Sequence, residues 1–169
     1  MRLFISIDIP KELYRYCRQL QSRFPEMKNT DEFHITLQFL GDEILSAELI
    51  VEALKKIQFA PFEIEMGNAL PFPNAWDPRG AWIECKLSPE LKKLAEDVQS
   101  EMRKIGYMSD KPFKAHITLG RYRQAPEKKP EVVEGEPHRF TIENFYLMES
   151  ILTPKGPIHK KLATFQAGK

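Results

Sequence analysis

The chain has 169 residues, 42% of them hydrophobic and 29% charged, a size and composition typical of a soluble globular protein rather than a disordered one. Its formal net charge of +1 excludes a general attraction to polyanions, so nucleic acid would have to bind at a local basic patch. No apolar run approaches the ~20 residues of a membrane span, and charges and a proline interrupt the apolar start too early for a signal peptide, so we expect a cytoplasmic protein without membrane contact.

The first half of the chain alternates strand and helix patterns. The run 2–8 is rich in β-branched and aromatic residues and predicts a strand, and Pro10 then begins a helix with an apolar stripe at helical spacing. Residues 33–40 alternate like a strand, and a second amphipathic helix follows. Residues 62–72 predict another strand, which the proline-bearing loop 73–80 ends.

The second half repeats this order. A strand pattern covers 81–87, and Ser88 with Pro89 supplies the N-cap and first turn of a long helix that ends at Gly106. The remaining predicted elements are a strand, a charged loop and a hairpin: 116–123, 124–138, and 139–152 with 158–166.

The two halves share a repeated unit. Each has a strand, a helix begun by a proline, a connection, and a strand with the tetrapeptide His-Ile-Thr-Leu, which starts at His34 and again at His116. We interpret this as an internal duplication, with approximate units 2–40 and 81–123 inside a single domain spanning 1–169. Such a duplication can place equivalent strands about a pseudo-twofold axis, with the two histidines facing each other across a groove.

The tetrapeptide presents an imidazole and a hydroxyl on one face of its strand, because strand side chains alternate. In the first copy the core face is predicted to carry Phe33, Ile35, Leu37 and Phe39, and the polar face His34, Thr36 and Gln38. The second copy presents His116 and Thr118 in the same way. Two facing imidazoles, with an unperturbed pKa near ~6.5, can take one proton while giving another, and threonine hydroxyls can donate to phosphate oxygens. The pattern therefore predicts phosphodiester cleavage without a metal.

Two other interpretations of the motif stay open, an ordinary half-exposed strand and metal binding by the two motif histidines with a third ligand. No Cys, Asp or second His lies at a recognised zinc spacing from either copy, so no metal or cofactor is expected. We expect His138 and His159, in loop or hairpin contexts, at the surface. Cys17 and Cys85 are predicted to be free buried thiols.

The motif strands occur with the start "RLFISIDIP", the segment "PRGAWIECKL" and the tail "FYLMESILTPKGP". Together these stretches resemble the 2H phosphoesterases, and among them the RNA 2′,3′-cyclic phosphodiesterases formerly named 2′-5′ RNA ligases. The resemblance implies an α+β fold of two pseudo-symmetric lobes, whose antiparallel sheets, flanked by helices, surround a central cleft, each lobe giving one HxTx strand. It also implies metal-independent opening of RNA 2′,3′-cyclic phosphate ends to a 2′-phosphomonoester, with no cofactor, and reverse 2′-5′ RNA ligation as a second activity.

The same resemblance implies roles for individual residues. They are proton donor for His34, proton acceptor for His116, and phosphate binding for Thr36, Thr118 and Arg121. Strict alternation would point Arg121 away from the histidine, so this role requires a bulge, which Gly120 can provide. Relatives commonly have a Tyr after the "GP" of the tail, where this chain reads "GPIHKK", so the role of that position stays open.

Residues for RNA binding follow from the aromatic and basic side chains near these elements. Phe72 and Trp76 border the proline loop and can stack a terminal base, or they only anchor the loop. Lys114 and Arg123 flank the second motif as a basic patch or as a solvated strand edge. We expect a monomer that acts on RNA with a 2′,3′-cyclic phosphate terminus, tRNA fragments being one candidate. The alternatives are a phosphodiesterase of a small cyclic nucleotide phosphate, such as ADP-ribose 1″,2″-cyclic phosphate, and a non-catalytic module that binds RNA ends.

Overall fold

A computed structural model describes residues 1–109 and 111–168 of the chain. The strands are β1 (Arg2–Asp8), β2 (Lys28–Asn29), β3 (His34–Gly41), β4 (Phe62–Phe72), β5 (Gly80–Cys85), β6 (His116–Arg121), β7 (Arg139–Ile142), β8 (Asn144–Thr153) and β9 (Gly156–Gln166). The helices are a 3-10 turn (Lys11–Leu13), α1 (Tyr14–Gln21), α2 (Ala47–Leu54) and α3 (Pro89–Lys104). No helix in the described part of the chain combines the length and apolar character of a membrane span.

The strands form two antiparallel sheets, with the orders β3-β1-β8-β9 and β2-β6-β5-β4-β7. This confirms the α+β fold with one motif strand in each sheet. Strand β3 is the edge of its sheet, and β6 approaches it from the other sheet. The short β2 pairs with β6 only at Gly120 and Arg121, the end opposite to His116. The two motif strands therefore meet where the two sheets face each other.

The two strand–helix–strand units have matching registers. In the first unit His34 is paired with Asp8, and Thr36 is paired with Ser6. In the second unit His116 is paired with Glu84, and Thr118 is paired with Trp82. The helix of each unit also packs against the motif strand of the other unit. Helix α1 contacts β6, and helix α3 contacts β3. An internal duplication would produce these registers, and it remains our proposal from the sequence.

Strand β3 contains a β-bulge directly after the motif, which reverses its alternation. The register with β1 skips Leu37 between Thr36 and Gln38. Gln38 is consequently buried, while Phe39 is 67% exposed. The predictions that Gln38 shares the polar face and that Phe39 enters the core are therefore wrong, because one extra residue shifts the two-residue period by one.

Strand β6 has a bulge at the equivalent place. Its register with β5 skips Leu119, so Gly120 and Arg121 pair one position out of phase with Thr118. Paired residues of antiparallel strands point to the same face of the sheet. The partners of Arg121 and Thr118 are Gly80 and Trp82, which lie two residues apart on β5 and therefore share a face. Arg121 therefore returns to the face that carries Thr118 and His116. The bulge that its role required at Gly120 is present.

Gly120 allows a close approach between β6 and β2. A Cβ atom at this position would collide with the backbone oxygen of Lys28 and lie 2.8 Å from Cε of the buried Met27. We expect Gly120→Ala to lower the free energy of unfolding by about 1–3 kcal/mol, measured by urea denaturation, because the strand must shift. Gly168→Ala is the matched control, since its Cβ would meet only the Phe59 oxygen, at 3.8 Å. Equal stability of the two variants would contradict this account of the bulge.

The segment predicted as one strand at 139–152 is two strands. Strand β7 pairs with β4 in the second sheet and β8 pairs with β1 in the first, so the chain crosses between the sheets at Glu143. Alternation continues through a crossing of this kind and does not reveal a change of partner. The prediction of one continuous strand was wrong for that reason. The hairpin of β8 and β9 is confirmed and brings β9 to the first sheet.

Buried side chains from both sheets and all three helices form one hydrophobic core. Cys17 and Cys85 belong to it and are free thiols, as predicted. Burial raises the pKa of each to about 12, so both remain protonated at neutral pH. The core leaves the starts of β3 and β6 half-buried, and the candidate site is built there.

Candidate active site

His116 begins β6 and is held by a backbone hydrogen bond. Its Nδ1 lies 2.8 Å from the carbonyl oxygen of Lys114. A carbonyl oxygen can only accept, so in the neutral ring Nδ1 carries the proton and Nε2 carries the lone pair. His116 is therefore fixed in the tautomer whose Nε2 can take a proton.

The surroundings of His116 favour its neutral form. Burial lowers the pKa of His116 below 6.5, and the hydrogen bond to Lys114 opposes this effect in part. The positive charges of Arg121 and Lys114 lower the pKa further. The imidazole is therefore mostly unprotonated at pH 7, as a general base requires.

A stack of side chains connects His116 to Arg121. The His116 ring lies on Trp82, with 4.0 Å between the centroids, and Trp82 stacks on Phe72 at 4.6 Å and 17°. The guanidinium carbon of Arg121 is 5.5 Å from the centroid of Phe72. Phe72, predicted as a base platform, is thus engaged by protein side chains. Trp82 was not among the residues predicted from the sequence, although its place two residues before Glu84 puts it on the polar face of β5.

His34 begins β3 and contacts two other rings. Its centroid is 5.3 Å from that of Phe4 and 5.3 Å from that of His159. The pKa of His34 is lowered to about 4, mainly by burial; positive charge on His159 and His116 contributes to the lowering, and Asp8 opposes it. Contacts between β3 and β6 bring the strand that carries His116 against the strand that carries His34.

His159 was expected at the surface, and the structure corrects this. Its side chain is 19% exposed, its Nδ1 lies 3.4 Å from a carboxylate oxygen of Glu32, and its ring packs edge-on against His34 and Phe4. The hairpin pairs β9 with β8, and the folded sheet brings His159 of β9 to the rings of Phe4 on β1 and His34 on β3. That register depends on the tertiary fold, so no local pattern could have indicated the contact.

Two cavities adjoin His34. The larger, about 610 Å³, is lined by residues of β1, β8 and β9 that include His159 and Lys161, and Lys161 forms an ion pair with Asp8 at 2.6 Å. The smaller, about 280 Å³, is lined by Phe39 and other mostly apolar side chains. His116 lines neither, so the cavities belong to the His34 side of the cleft.

Of the other predicted site residues, the two threonines lie beside the histidines, and Lys114, Arg123 and Trp76 lie farther out. Thr36 and Thr118 are half-buried and share the faces of their histidines. Lys114 and Arg123 are exposed beyond the two ends of β6. Trp76 is 83% exposed with the Lys129 Nζ 3.3 Å from its ring centroid, outside the stack that holds His116. Within residues 1–109 and 111–168, no three His, Cys, Asp or Glu side chains are grouped as metal ligands.

Comparison with known families gives a match over most of the chain. The family model of the 2′-5′ RNA ligase superfamily matches residues 9–152. The chain belongs to this superfamily. A superfamily relative from Archaeoglobus fulgidus, named RNA 2′,3′-cyclic phosphodiesterase, is 36% identical over 98% of this chain and 100% of its own length. A Thermotoga maritima protein of the same name is 28% identical over 96% of this chain and 93% of its own length.

Two solved structures have the same fold as this chain. A Thermus thermophilus protein superposes with a TM-score of 0.86 at 29% identity, covering 98% of this chain and 97% of that one. Escherichia coli LigT, solved in complex with 3′-AMP, superposes with a TM-score of 0.82 at 25% identity, covering 99% and 98%. The fold expected from the sequence resemblance is therefore confirmed over the whole domain.

Proposed function

We propose that this chain is an RNA 2′,3′-cyclic phosphodiesterase that opens a terminal cyclic phosphate to a 2′-phosphomonoester, without a metal, by acid–base catalysis with two histidines. The observation that carries the proposal is the pair of imidazoles at the starts of β3 and β6, with the lone pair of His116 on Nε2. The name shared by the Archaeoglobus and Thermotoga relatives supports both the RNA substrate and the cyclic phosphate.

In this mechanism His116 and His34 have opposite roles. Nε2 of His116 takes a proton from water, whose oxygen then attacks phosphorus. The bond between phosphorus and the 3′-oxygen breaks, its electron pair stays on that oxygen, and His34 supplies the proton that makes it a hydroxyl. The hydroxyls of Thr36 and Thr118 and the guanidinium of Arg121 donate to the non-bridging phosphate oxygens as their charge increases.

The substrate itself supplies the charge that keeps His34 protonated. The pKa of His34 in the protein alone is about 4, so the ring is neutral at pH 7. A cyclic phosphodiester carries one negative charge, which at ~4 Å and an effective dielectric constant of ~20 favours a cation by about 4 kcal/mol. Such a charge close to the ring raises the pKa of His34 from about 4 toward neutrality in the complex. The general acid is therefore charged when substrate is bound.

A pH dependence follows from these lowered pKa values. Activity requires a neutral His116 and a protonated His34. In the free protein this combination is most populated at a pH between the two pKa values. Both pKa values lie below 6.5. We expect kcat/KM, which reports the free protein, to be highest below pH 6.5. The optimum of kcat should lie at higher pH because the negative charge of the bound phosphate raises the pKa values of both histidines. Steady-state kinetics between pH 4 and 9 would contradict this if the two optima coincided above pH 7.

The proposed activity is tested with a short RNA that ends in a 2′,3′-cyclic phosphate, incubated with the protein in EDTA. Multiple turnovers to a 2′-phosphate end are expected. RNA binding without product would instead indicate a module that binds RNA ends. Turnover of ADP-ribose 1″,2″-cyclic phosphate but not of RNA would indicate the small-nucleotide enzyme. A metal requirement would appear as loss of activity in EDTA and recovery on adding a divalent cation.

We also propose that the protein acts as a monomer in the cytoplasm and that its substrates include the ends of tRNA fragments. Lys114 and Arg123 contact the RNA backbone as a local basic patch, supported by their exposure near the second motif. Sedimentation at micromolar concentration tests the monomer, and the salt dependence of RNA affinity in Lys114→Ala and Arg123→Ala tests the patch.

A further inference from the structure

His34 and His159 lie together between the two cavities of the first sheet. Within residues 1–109 and 111–168 they are the only two side chains that line both the 610 Å³ and the 280 Å³ cavity. Their rings pack edge-on, with 5.3 Å between the centroids and 76° between the planes. A substrate that contacts His34 from either cavity therefore also lies beside His159.

The ring of His159 is held from several sides. Phe4 packs edge-on against it at 5.1 Å and also lies 5.3 Å from His34, so the three rings contact one another. Nδ1 of His159 lies 3.4 Å from a carboxylate oxygen of Glu32, and pairing with Ser150 in the hairpin fixes the backbone. His34 therefore has an ordered neighbour that limits the orientation of its ring.

The two motif histidines are supported differently at equivalent places in the sequence. Lys114 lies two residues before His116 and orients that ring through its carbonyl oxygen. Glu32 lies two residues before His34, and its carboxylate contacts His159. On the His34 side, support for the ring thus includes a second imidazole with its own carboxylate.

The charged side chains around this pair of histidines balance one another. Those that line the two cavities are the cations Arg2, Lys11 and Lys161 and the anions Asp8, Glu32 and Glu143. Side chains of these types keep their charge between pH 5 and 8, whereas an imidazole gains or loses its charge in that range. His159, together with His116 on β6, is therefore a neighbour through which pH changes the electrostatic field at His34.

We propose that His159 is a positioning residue for His34: its ring holds the imidazole of His34 in place, and its charge, partly balanced by Glu32, controls how readily His34 takes up a proton. This proposal rests on the proposed function, in which His34 is the general acid. Positive charge on His159 contributes to the lowered pKa of His34, in agreement with their edge-on contact.

The consequence is an antagonism between the two rings. Like charges at this separation repel, so a protonated His159 makes protonation of His34 less favourable, and the two groups titrate as a coupled pair. Removing the charge of His159 while keeping an aromatic ring should therefore raise the pKa of His34. Removing the ring as well should also leave His34 less well oriented for proton transfer.

The test compares His159→Phe, which keeps a ring but not the charge, with His159→Ala, which keeps neither. The titration of His34 is followed in each full-length protein by NMR of the imidazole carbons and nitrogens, without RNA. We expect its midpoint to lie at higher pH in His159→Phe than in the wild type. At the pH optimum of each protein, His159→Ala should lose about tenfold in kcat, because its general acid is misplaced, and His159→Phe should lose less.

His138→Ala is the matched control, because His138 is also paired with a glutamate, at 3.1 Å from Glu136, but lines neither cavity. It should leave the His34 midpoint unchanged. An unchanged midpoint in His159→Phe would overturn the role of the charge, and equal kcat in His159→Phe and His159→Ala would overturn the role of the ring. Either result overturns the proposal, and the Phe variant decides it alone if the Ala variant does not fold.

The outcomes also distinguish this proposal from the function on which it rests. A wild type that cleaves no cyclic phosphate would overturn the proposed function and, with it, the role of His34 as an acid. The titration needs no substrate, so it decides separately whether His159 and His34 are coupled. Turnover by the wild type with an unchanged titration would leave the phosphodiesterase standing and overturn the role of His159.

Discussion

Replacing His116 with alanine is expected to lower kcat by about 10²–10⁴-fold while RNA binding is largely retained. The variant lacks the Nε2 that we propose activates water, but it keeps the hydroxyl and guanidinium groups that we propose bind the phosphate. His34→Ala should lose activity to a similar extent, because the 3′-oxygen would then leave without a proton. The measurement is single-turnover cleavage of RNA with a 2′,3′-cyclic phosphate end, with the dissociation constant determined in parallel.

His138→Ala is the matched control for the histidine variants. His138 packs against Tyr16, lies 3.1 Å from Glu136, and lines neither cavity at His34. Its removal should change kcat by less than about twofold. A rate for His116→Ala within about tenfold of the wild type, or an equal loss in His138→Ala, would remove His116 from the mechanism.

Replacing Arg121 with alanine is expected to lower kcat/KM by about 10²–10³-fold, the typical cost of one donor to a developing oxyanion. The same change should raise the pKa of His116, because the charge of Arg121 lowers it. One of the two apparent pKa values in the kcat/KM profile should therefore move to higher pH. A purely structural role for Arg121 would lower activity without moving this value.

Arg121→Lys separates the geometry of the guanidinium group from its charge, and Arg103→Ala is the matched control. Lysine keeps the positive charge but not the planar fork that stands over Phe72, so the shift in pKa should be small while much of the rate is still lost. Arg103 is exposed in the last turn of α3 and should be replaceable without effect. Full activity of Arg121→Lys would show that only the charge matters.

The sequence predicted the features that repeat locally. Alternation identified β3 and β6, and their common tetrapeptide made His34 and His116 the candidate catalytic residues. Gly120 also indicated the bulge in β6, because glycine in a strand often marks one. The bulge in β3 has no such marker, since the residue out of register is Leu37, and the face of Phe39 was predicted wrongly for that reason.

The neighbours of the histidines could not be predicted in the same way. Trp82 reaches His116 through the pairing of β5 with β6, and His159 reaches His34 across the first sheet from β9. Both contacts depend on register between strands distant in the chain, which period and composition do not encode. The lowered pKa of His34 has the same origin, because burial and His159 contribute to it.

The most direct test of the central claim replaces the 3′-oxygen of the cyclic phosphate with sulfur. A thiolate leaves without protonation, since thiols have a pKa near ~8.5, so the substrate no longer needs a general acid. We expect His34→Ala to cleave the sulfur substrate within about tenfold of the wild type, while His116→Ala remains inactive because water still needs a base. Rescue of His116→Ala would reverse the two roles, and rescue of neither variant would contradict acid–base catalysis by this pair.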